Sequence, residues 1–568
     1  MRKRYKRRYA MKQIREMLIS RLEPLEELLL SRYDRDGTDA ALLGYPIGDD
    51  STGFSKGGMI SLAARRYLRL QKEGVCADKD RERLLRFFGR IKKDESIKTW
   101  GKMSILRTLC DLSDANKLDI LDASTVAILE KCTRYDDFVD PVTLKLKPQY
   151  PTNYLHVAME CAAMREKIGF ECRGMSDRFA ERLLEIMTTN SADAWMDEAP
   201  PFGRFDTYSV GMNLNLTLAF ERNGKAIPEY LKENTRRAVR LYYALRNMRG
   251  DTFCYGRSLS LYGEFGALSH ILYGIREGYF TEDERGEALS YALAITKKIT
   301  DFWFDSEKGF FNIWLDGRAT EEYRGISRIF ETNADACASI SKVLRMLDSL
   351  EHCEIHGEIQ EPKNWDMHKV VFIDEPEKKR ILYILRYRDR VYMLPFVGIG
   401  VKTFDASYMP FPHSTKYFES PHAGISIPYL TPEVTLRNGE NVIPMNYYDK
   451  ITDYYENEAL VIEAEGQLAR FNLIHYDSVE NGKSSERFSV RYTFSHDTVR
   501  VEYDIPSALC SRMIFYGWES DLVSFDNAKI YELDPSGSER AKAPHGAPTF
   551  GVLALQTGSN ISYTLKIK

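Results

Sequence analysis

The stretch Glu361-Pro-Lys-Asn-Trp-Asp-Met-His-Lys-Val-Val-Phe-Ile373, followed by Ile381-Leu-Tyr-Ile-Leu-Arg-Tyr387 and Val391-Tyr-Met-Leu394, is where the chain changes character. From here on, β-branched and aromatic residues come in short runs bounded by turn formers, which predicts strands. The pattern recurs at Ala459-Leu-Val-Ile-Glu463, Phe488-Ser-Val-Arg-Tyr492, Thr498-Val-Arg-Val-Glu502, Met513-Ile-Phe515, Thr549-Phe-Gly-Val-Leu-Ala-Leu555 and Ile561-Ser-Tyr-Thr-Leu-Lys-Ile567. Strands with no helices between them point to an antiparallel β-sandwich. Upstream the period is different. Between about residues 12 and 350 the apolar residues return at i, i+3, i+4 and i+7, in stripes such as Ile14, Met17, Leu18, Leu22 and Leu25, or Ala288, Tyr291, Ala292, Ile295 and Ile299. The spacing predicts helices over 12–32, 57–74, 79–93, 98–113, 116–132, 153–168, 176–188, 207–222, 228–247, 259–277, 282–303 and 333–350. Some twelve successive helices, whose stripes each need a partner, fit about six helix hairpins around a common axis better than a four-helix bundle. The expected architecture is therefore a multi-domain α and β chain, with an N-terminal α/α toroid over residues 1–352 as catalytic domain and a β-sandwich over 366–568.

At 568 residues the chain exceeds what one hydrophobic core supports. Its 79 basic and 83 acidic side chains leave a net charge of −4, which offers nothing to a nucleic acid. The basic start, Met1-Arg-Lys-Arg-Tyr-Lys-Arg-Arg-Tyr9, resembles the head of a signal peptide. Lys12, Gln13, Arg15 and Glu16 break the apolar segment that would have to follow, so the head reads as a solvated tail. With no apolar run of membrane-spanning length, no membrane partner is expected. Nine scattered cysteines without a Cys-x-x-Cys pair read as reduced thiols. A cytoplasmic location follows from these readings as an expectation, and no cofactor or metal constellation is visible. The Gly44–Phe54 loop, with Asp49 and Asp50, is where oxygen ligands for Ca²⁺ would be sought. A homo-oligomer is left open.

Three connectors of the helical half are rich in aromatic, acidic and amide side chains. They are the loop containing Asp49, the segment Glu198–Tyr208 leading into Asn213 and Asn215, and Asp251-Thr-Phe-Cys-Tyr-Gly-Arg-Ser258 leading into Tyr262 and Glu264. Gly256 permits a tight path on which Tyr255, Arg257 and Ser258 project together at a helix start, and Arg257 there suits a carboxylate. The bland alternative pairs Arg257 with a neighbouring acid and leaves Ser258 as a cap. Asp206 and Tyr208 open a helix, where a carboxylate is favourable without any function. Glu264 sits in an apolar run and is costly unless paired, with Arg257 the obvious partner. Glu331 precedes the last helix, for which Thr332 or Asn333 would be the N-cap. Asn153, Tyr154 and His156 start another helix, in which His156 could equally be a satisfied core residue. His413 and His422 lie in loops of the strand-rich half and are second-rank candidates to reach over the cleft. An aromatic content of 12% suits stacking on sugar rings.

Thr152-Asn-Tyr-Leu-His-Val-Ala-Met159, Tyr208 with Met212-Asn-Leu-Asn215, and Gly250-Asp-x-Phe-x-Tyr-Gly-Arg-Ser-Leu-Ser260 resemble, in order and spacing, a bacterial family long described as a domain of unknown function. Its signatures are Asn-Asn-Trp, a Tyr-centred helix and Tyr-Gly-Arg-Ser-Leu-Thr-Tyr-Arg. That family is similar to the heparinase- and alginate-lyase-type toroids and to the β-glucuronidases of glycoside hydrolase family 154. The likeness covers residues 150–350. It departs at Leu261-Tyr262-Gly263-Glu264 and at Thr152-Asn153-Tyr154, which puts substrate choice in doubt.

The resemblance implies an exo-acting hydrolase that removes a terminal uronic acid from an oligosaccharide. The roles assigned by reading the residues are Glu264 and Asp206 as acid and base or nucleophile, with Glu331 in reserve, and Arg257 on the uronate carboxylate. Tyr255, Ser258, Tyr208, Tyr262, Asn153, Tyr154, His156, Asn213, Asp49 and His422 complete the expected substrate contacts. The alternative is a lyase working by β-elimination through Tyr208, Tyr255, Tyr262 or His156, and a non-catalytic sugar-binding protein is the third reading.

Overall fold

The computed structural model describes residues 2–47, 55–93, 95, 97–147, 150, 152–191, 195–197, 203–256, 259–315, 325–350, 358–398, 408–414, 431–472, 477–516, 523–533 and 551–567. Its N-terminal region is mostly helical and its C-terminal region is an antiparallel sheet domain.

The helices are α1 (Arg2–Asp36), α2 (Ser55–Lys72), α3 (Asp78–Gly89), α4 (Thr99–Asp114), α5 (Ala123–Cys132), α6 (Asn153–Lys167), α7 (Met175–Asn190), α8 (Thr207–Arg222), α9 (Glu229–Ala244), α10 (Leu261–Arg276), α11 (Glu284–Lys297) and α12 (Ile329–Asp348). Local chemistry explains several starts. Asp122 caps α5 by accepting from Thr125 N at 2.8 Å. Asp206 and Ser209 form a reciprocal capping box on α8. Several expected boundaries moved: α1 begins at Arg2, within the stretch read as a solvated tail, α5 begins at Ala123 and not near 116, and α12 begins at Ile329, so Glu331 and Asn333 lie inside its first turns and neither Thr332 nor Asn333 is its cap. The Asn333 side chain instead bonds across to the main chain of Phe311, accepting from its N–H at 2.8 Å and donating to its carbonyl at 2.9 Å.

The even-numbered helices touch one another in sequence, α2 with α4, α4 with α6, α6 with α8, α8 with α10 and α10 with α12, and α12 returns to α2. Odd-numbered helices pack outside this ring, α1 against α11, α12 and α2, and α9 between α8 and α10. Each inner helix follows an outer one, so the inner helices run in the same sense. Buried apolar stripes hold the layers together. Ala288, Tyr291, Ala292, Ile295 and Ile299 are all fully buried, and a buried side chain of Leu or Ile size contributes about 1.5–3 kcal/mol relative to exposure. The α2–α4 crossing needs its glycines, because a Cβ on Gly57 would sit 2.4 Å from the carbonyl oxygen of Gly101.

Two short ribbons, β1 (Ala41–Leu42) with β2 (Tyr45–Pro46) and β3 (Phe304–Asp305) with β4 (Phe310–Phe311), decorate the helices. The sheet domain begins with β5 (Asp366–Ile373), β6 (Arg380–Tyr387) and β7 (Arg390–Phe396), a three-stranded antiparallel sheet. The remaining strands are β8 (Glu433–Leu436), β9 (Asn441–Glu456), β10 (Ala459–Asn472), β11 (Asp477–Phe494), β12 (Thr498–Asp504), β13 (Ala508–Tyr516), β14 (Val523–Phe525), β15 (Ala528–Leu533), β16 (Gly551–Thr557) and β17 (Asn560–Lys566). They form one ten-stranded sheet in the order β14-β17-β12-β11-β10-β9-β8-β13-β16-β15. Where a sandwich of separate facing sheets was expected, the ladder is continuous. It bends so that Phe515 of β13 meets Phe525 of β14 and Tyr563 of β17 at 5.3 and 5.1 Å between ring centres, although β13 lies near the opposite end of the strand order. A sheet this wide curls because each strand pair adds twist.

The three-stranded sheet lies between the helices and the large sheet. Strand β6 is buried along its whole length, as a central layer must be. On one side Phe372 stacks on Phe205 at 4.4 Å and meets Trp195 edge-on at 5.7 Å. On the other, Phe396 packs against Tyr448 and Tyr492. A main-chain bond from Gly398 N to Gly203 O, 2.8 Å, adds a backbone tie. The segment joining Gly203 to Asp206 therefore sets the N-terminal ends of the inner helices against the sheet domain.

Candidate active site

The inner helices enclose a cavity of about 850 Å³. It is lined along the length of the ring, from Tyr208 at the start of α8 to Arg222 at its end, a distance of about 21 Å at the helical rise. The end on the sheet-domain side, where the inner helices begin, is the mouth.

Aromatic and polar side chains gather at the mouth. Trp100 from α4, Tyr150, Tyr154 from α6, Tyr208 from α8 and Tyr262 from α10 line it with Asn153, His156, Lys98 and Arg328. Trp100 meets Tyr154 edge-on at 5.8 Å and donates its indole N–H to the Tyr154 hydroxyl at 3.4 Å, and Tyr150 lies 4.9 Å from Tyr154. The Tyr262 hydroxyl donates to Thr332 Oγ1 at 3.0 Å, which fixes that ring on α12. Asn153 is buried, and its Oδ1 makes no hydrogen bond among the described residues.

Halfway down, His270 is bound through Nδ1 to the carbonyl of Gly266 at 2.7 Å and lies 4.3 Å from the ring of Tyr242. A carbonyl only accepts, so Nδ1 carries the proton and Nε2, buried and without a partner among the described residues, is left as an acceptor. Burial pushes the His270 pKa down to about 3 and keeps the ring neutral.

At a similar depth on α6, Glu160 accepts from Arg107 at 2.8 Å and Arg222 at 2.6 Å. His156 Nε2 stands 3.1 Å from Glu160 Oε1, close enough for charge contact but not aligned for a hydrogen bond. Burial alone would raise the Glu160 pKa. The two guanidinium groups outweigh it and hold the carboxyl well below its ordinary range.

Of the residues expected at the site, Asn153, Tyr154, His156, Tyr208 and Tyr262 line this cavity. Asp49, Arg257, Ser258 and His422 lie outside the described residues.

Glu264 faces the other way. Tyr262, Gly266, Ser269 and His270 form the cavity stripe of α10, and two residues of helix rotate a side chain by about 200°. Glu264 therefore accepts from the Trp303 indole N–H and lies 3.6 Å from Lys298, which itself pairs with Asp251 at 2.8 Å. Burial, against the pull of Lys298, raises its pKa to about 7. Asn213 is displaced for the same geometric reason. It is fully buried, whereas Asn215, two residues on, lines the cavity.

Asp206 is fully buried between the two regions, capping α8 and accepting from the Tyr408 hydroxyl. Tyr255 is buried beside it and donates to the Phe205 carbonyl at 2.8 Å. Burial and the nearby Asp206 raise the Tyr255 pKa well above its ordinary value. His413 is also buried, accepts Cys254 Sγ on its carbonyl at 3.2 Å, and stays neutral. Glu331 sits one turn before Asp335 on α12, its carboxylate gripped by Arg328.

The sequence reading missed Trp100, Arg107, Glu160, Arg222, His270, Asp335, Lys342 and Arg345, all of which line the cavity. The available signal was charged or polar residues at helical spacing on otherwise apolar helices: Arg107 with Asp111, His156 with Glu160, Asn215 with Arg222, and Asp335 with Lys342 and Arg345.

No helix among the described residues is long and apolar enough to cross a membrane. No family's sequence profile and no curated protein matches the chain. Solved structures do. Heparinase III aligns with a TM-score of 0.53 at 9% identity, over 96% of this chain and 85% of that one. The Streptomyces coelicolor A3 chondroitin AC lyase in complex with chondroitin sulphate gives 0.47 at 10%, over 98% and 82%. A glycosyl hydrolase family 88 protein from Bacteroides vulgatus gives 0.37 at 13%, over 58% and 99%. At such identities the likeness is one of fold, and the chain is similar to Heparinase III in carrying a helical N-terminal region followed by an antiparallel sheet domain.

Proposed function

We propose that the protein is a carbohydrate-active enzyme which cleaves a uronic-acid glycoside at the mouth of the helical ring, an α/α toroid in our reading. The observation that carries this is the mouth itself. Tyr150, Tyr154, Trp100, Tyr208 and Tyr262 offer stacking faces and hydroxyls, and Lys98 and Arg328 offer positive charge to an acidic sugar.

Hydrolysis is the chemistry we favour. Glu331 and Asp335 stand at i and i+4 on α12, a spacing that puts their Cβ atoms about 5–6 Å apart on one face of the helix; Asp335 lines the cavity, and Glu331 is tied to Arg328, which also lines it. Glu331, held by Arg328, is assigned as the base or nucleophile and Asp335 as the acid. Glu264 and Asp206 become structural in this reading, because the Glu264 carboxylate is taken by Trp303 and Lys298 and the Asp206 carboxylate by the α8 cap and Tyr408.

A second reading is β-elimination. It is favoured by Tyr208, Tyr262, His156 and Asn153 facing the same space: a phenol would remove the proton beside the carboxylate and return one to the departing oxygen, while Asn153 neutralises the carboxylate.

The test is incubation with para-nitrophenyl β-glucuronide and, in parallel, with a uronate oligosaccharide monitored for the ultraviolet absorbance of unsaturated products. We expect nitrophenol release that falls by about 10²–10⁴-fold in Asp335→Asn and Glu331→Gln. New absorbance that disappears in Tyr208→Phe would transfer the assignment to elimination. Silence in both assays would remove the proposal.

A further inference from the structure

We propose that the end of the cavity opposite the mouth is an oxyanion site, built for a doubly charged tetrahedral group of the sulfate or phosphate class. Five cations line that end, Arg65 from α2, Arg107 from α4, Arg222 from α8, and Lys342 and Arg345 from α12, against two carboxylates, Asp111 and Glu160.

Those two carboxylates do not neutralise the cluster. Glu160 is fully engaged by Arg107 and Arg222. Asp111 lies within electrostatic reach of Arg65 and Arg345 but makes no ion pair among the described residues. Arg65, Lys342 and Arg345 have neither a hydrogen-bonded nor an ion-paired side-chain partner there, and Arg65 Nε is shut away from solvent with no acceptor.

Such an arrangement is expensive in the empty protein. Burial and the repulsion of the neighbouring cations push Lys342 down to about 8 and Arg65 down to about 10. An oxyanion placed among the three would supply the missing acceptors, and the forked guanidinium groups match its oxygen edges. An excess of three positive charges suits a divalent group better than one carboxylate. Its most distant member, Arg222, lies about 21 Å along α8 from Tyr208 at the mouth, and Arg107 and Lys342 lie about 10 Å along their helices beyond Trp100 and Asp335, so the site is the inner part of the cavity that the sugar enters. The group arrives either as a free inorganic anion or as a substituent on the far end of a bound sugar chain, and both present the same chemistry.

Thermal unfolding and calorimetric titration test this on the full chain, with sodium sulfate and sodium phosphate compared with sodium chloride at equal ionic strength. Sulfate or phosphate is expected to raise Tm beyond chloride. Lys342→Gln and Arg65→Gln should each weaken anion binding by about tenfold, the worth of one charge-assisted contact. Lys342→Gln should also raise the Tm of the anion-free protein, since it removes a buried like charge, which separates a binding defect from misfolding. A sulfated uronate oligosaccharide is compared with its desulfated counterpart. Tighter binding of the sulfated form that vanishes in Lys342→Gln identifies the source as a substituent, whereas equal binding of the two alongside a sulfate-dependent Tm identifies a free anion. Equal Tm in sulfate, phosphate and chloride, with no preference for the sulfated sugar, would overturn the proposal, as would variants that bind anions as well as the wild type.

Discussion

Two buried glutamates in the helical region have opposite electrostatic fates, and their pH dependence separates them. Glu160 is held ionised by Arg107 and Arg222. Its folded-state pKa lies below the ordinary value, so its contribution to stability is present above that value and is lost as pH falls through the lowered one. Glu160→Gln leaves two guanidinium groups without a counter-charge and should cost about 3–5 kcal/mol at neutral pH by denaturant unfolding; the deficit should shrink in acid. Glu264 shows the reverse sign. Its pKa is raised from 4.5 to about 7, so the folded state holds the proton more tightly and stability falls as pH climbs between those values. Glu264→Gln is expected to flatten that slope and to equal or exceed the wild type in Tm at pH 8. A variant that kept the wild-type slope would show that another group titrates there. Sequence reading recognised Glu264 as a costly carboxylate, but its partner proved to be Lys298 with the Trp303 indole, residues a helix away that no local spacing announces.

At the scale of elements, the turn before α10 governs how the helical ring meets the sheet domain. Gly256 has φ +87°, and a Cβ there would lie 2.5 Å from the Cβ of Asp206. Gly256→Ala should therefore cost more than the ~1 kcal/mol of the backbone conformation alone and loosen the cap on α8, to be read as increased amide exchange at the first turn of α8. Ser260, at φ 60° and ψ −140°, is a second strained position in the same turn. The Asp-Thr-Tyr-Ser run was legible as the start of α8 because capping is a contact within four residues. The start of α12 was not, because the turn at Ile326–Arg328 runs directly into Ile329 and the side chain that resembled a cap, Asn333, is taken by Phe311. Periodicity reports that a helix exists; it does not say which polar residue on it has found a distant partner.

For the whole molecule, the contact of Phe372 with Phe205 and Trp195 is an aromatic bridge from the sheet domain to the helices. Phe372→Ala should destabilise by about 3–5 kcal/mol. In calorimetry it should turn a joint transition into two, with the helical and sheet regions melting separately; a single transition at unchanged Tm would mean that the bridge carries no coupling. Asp206, with its Tyr408 bond, belongs to this same junction, where it also caps α8. The sequence alone determined that helices fill the chain to about residue 350 and strands follow from about 366, since a period of 3.6 or of 2, a cap and a glycine turn are properties of neighbouring residues. Only the tertiary structure decided which face of each helix looks into the ring. Inner helices carry apolar residues on several faces, so their apolar pattern alone does not mark the cavity face, and the groups that define it meet over long separations: Arg107 reaches Glu160 across 53 positions and Arg222 reaches it across 62.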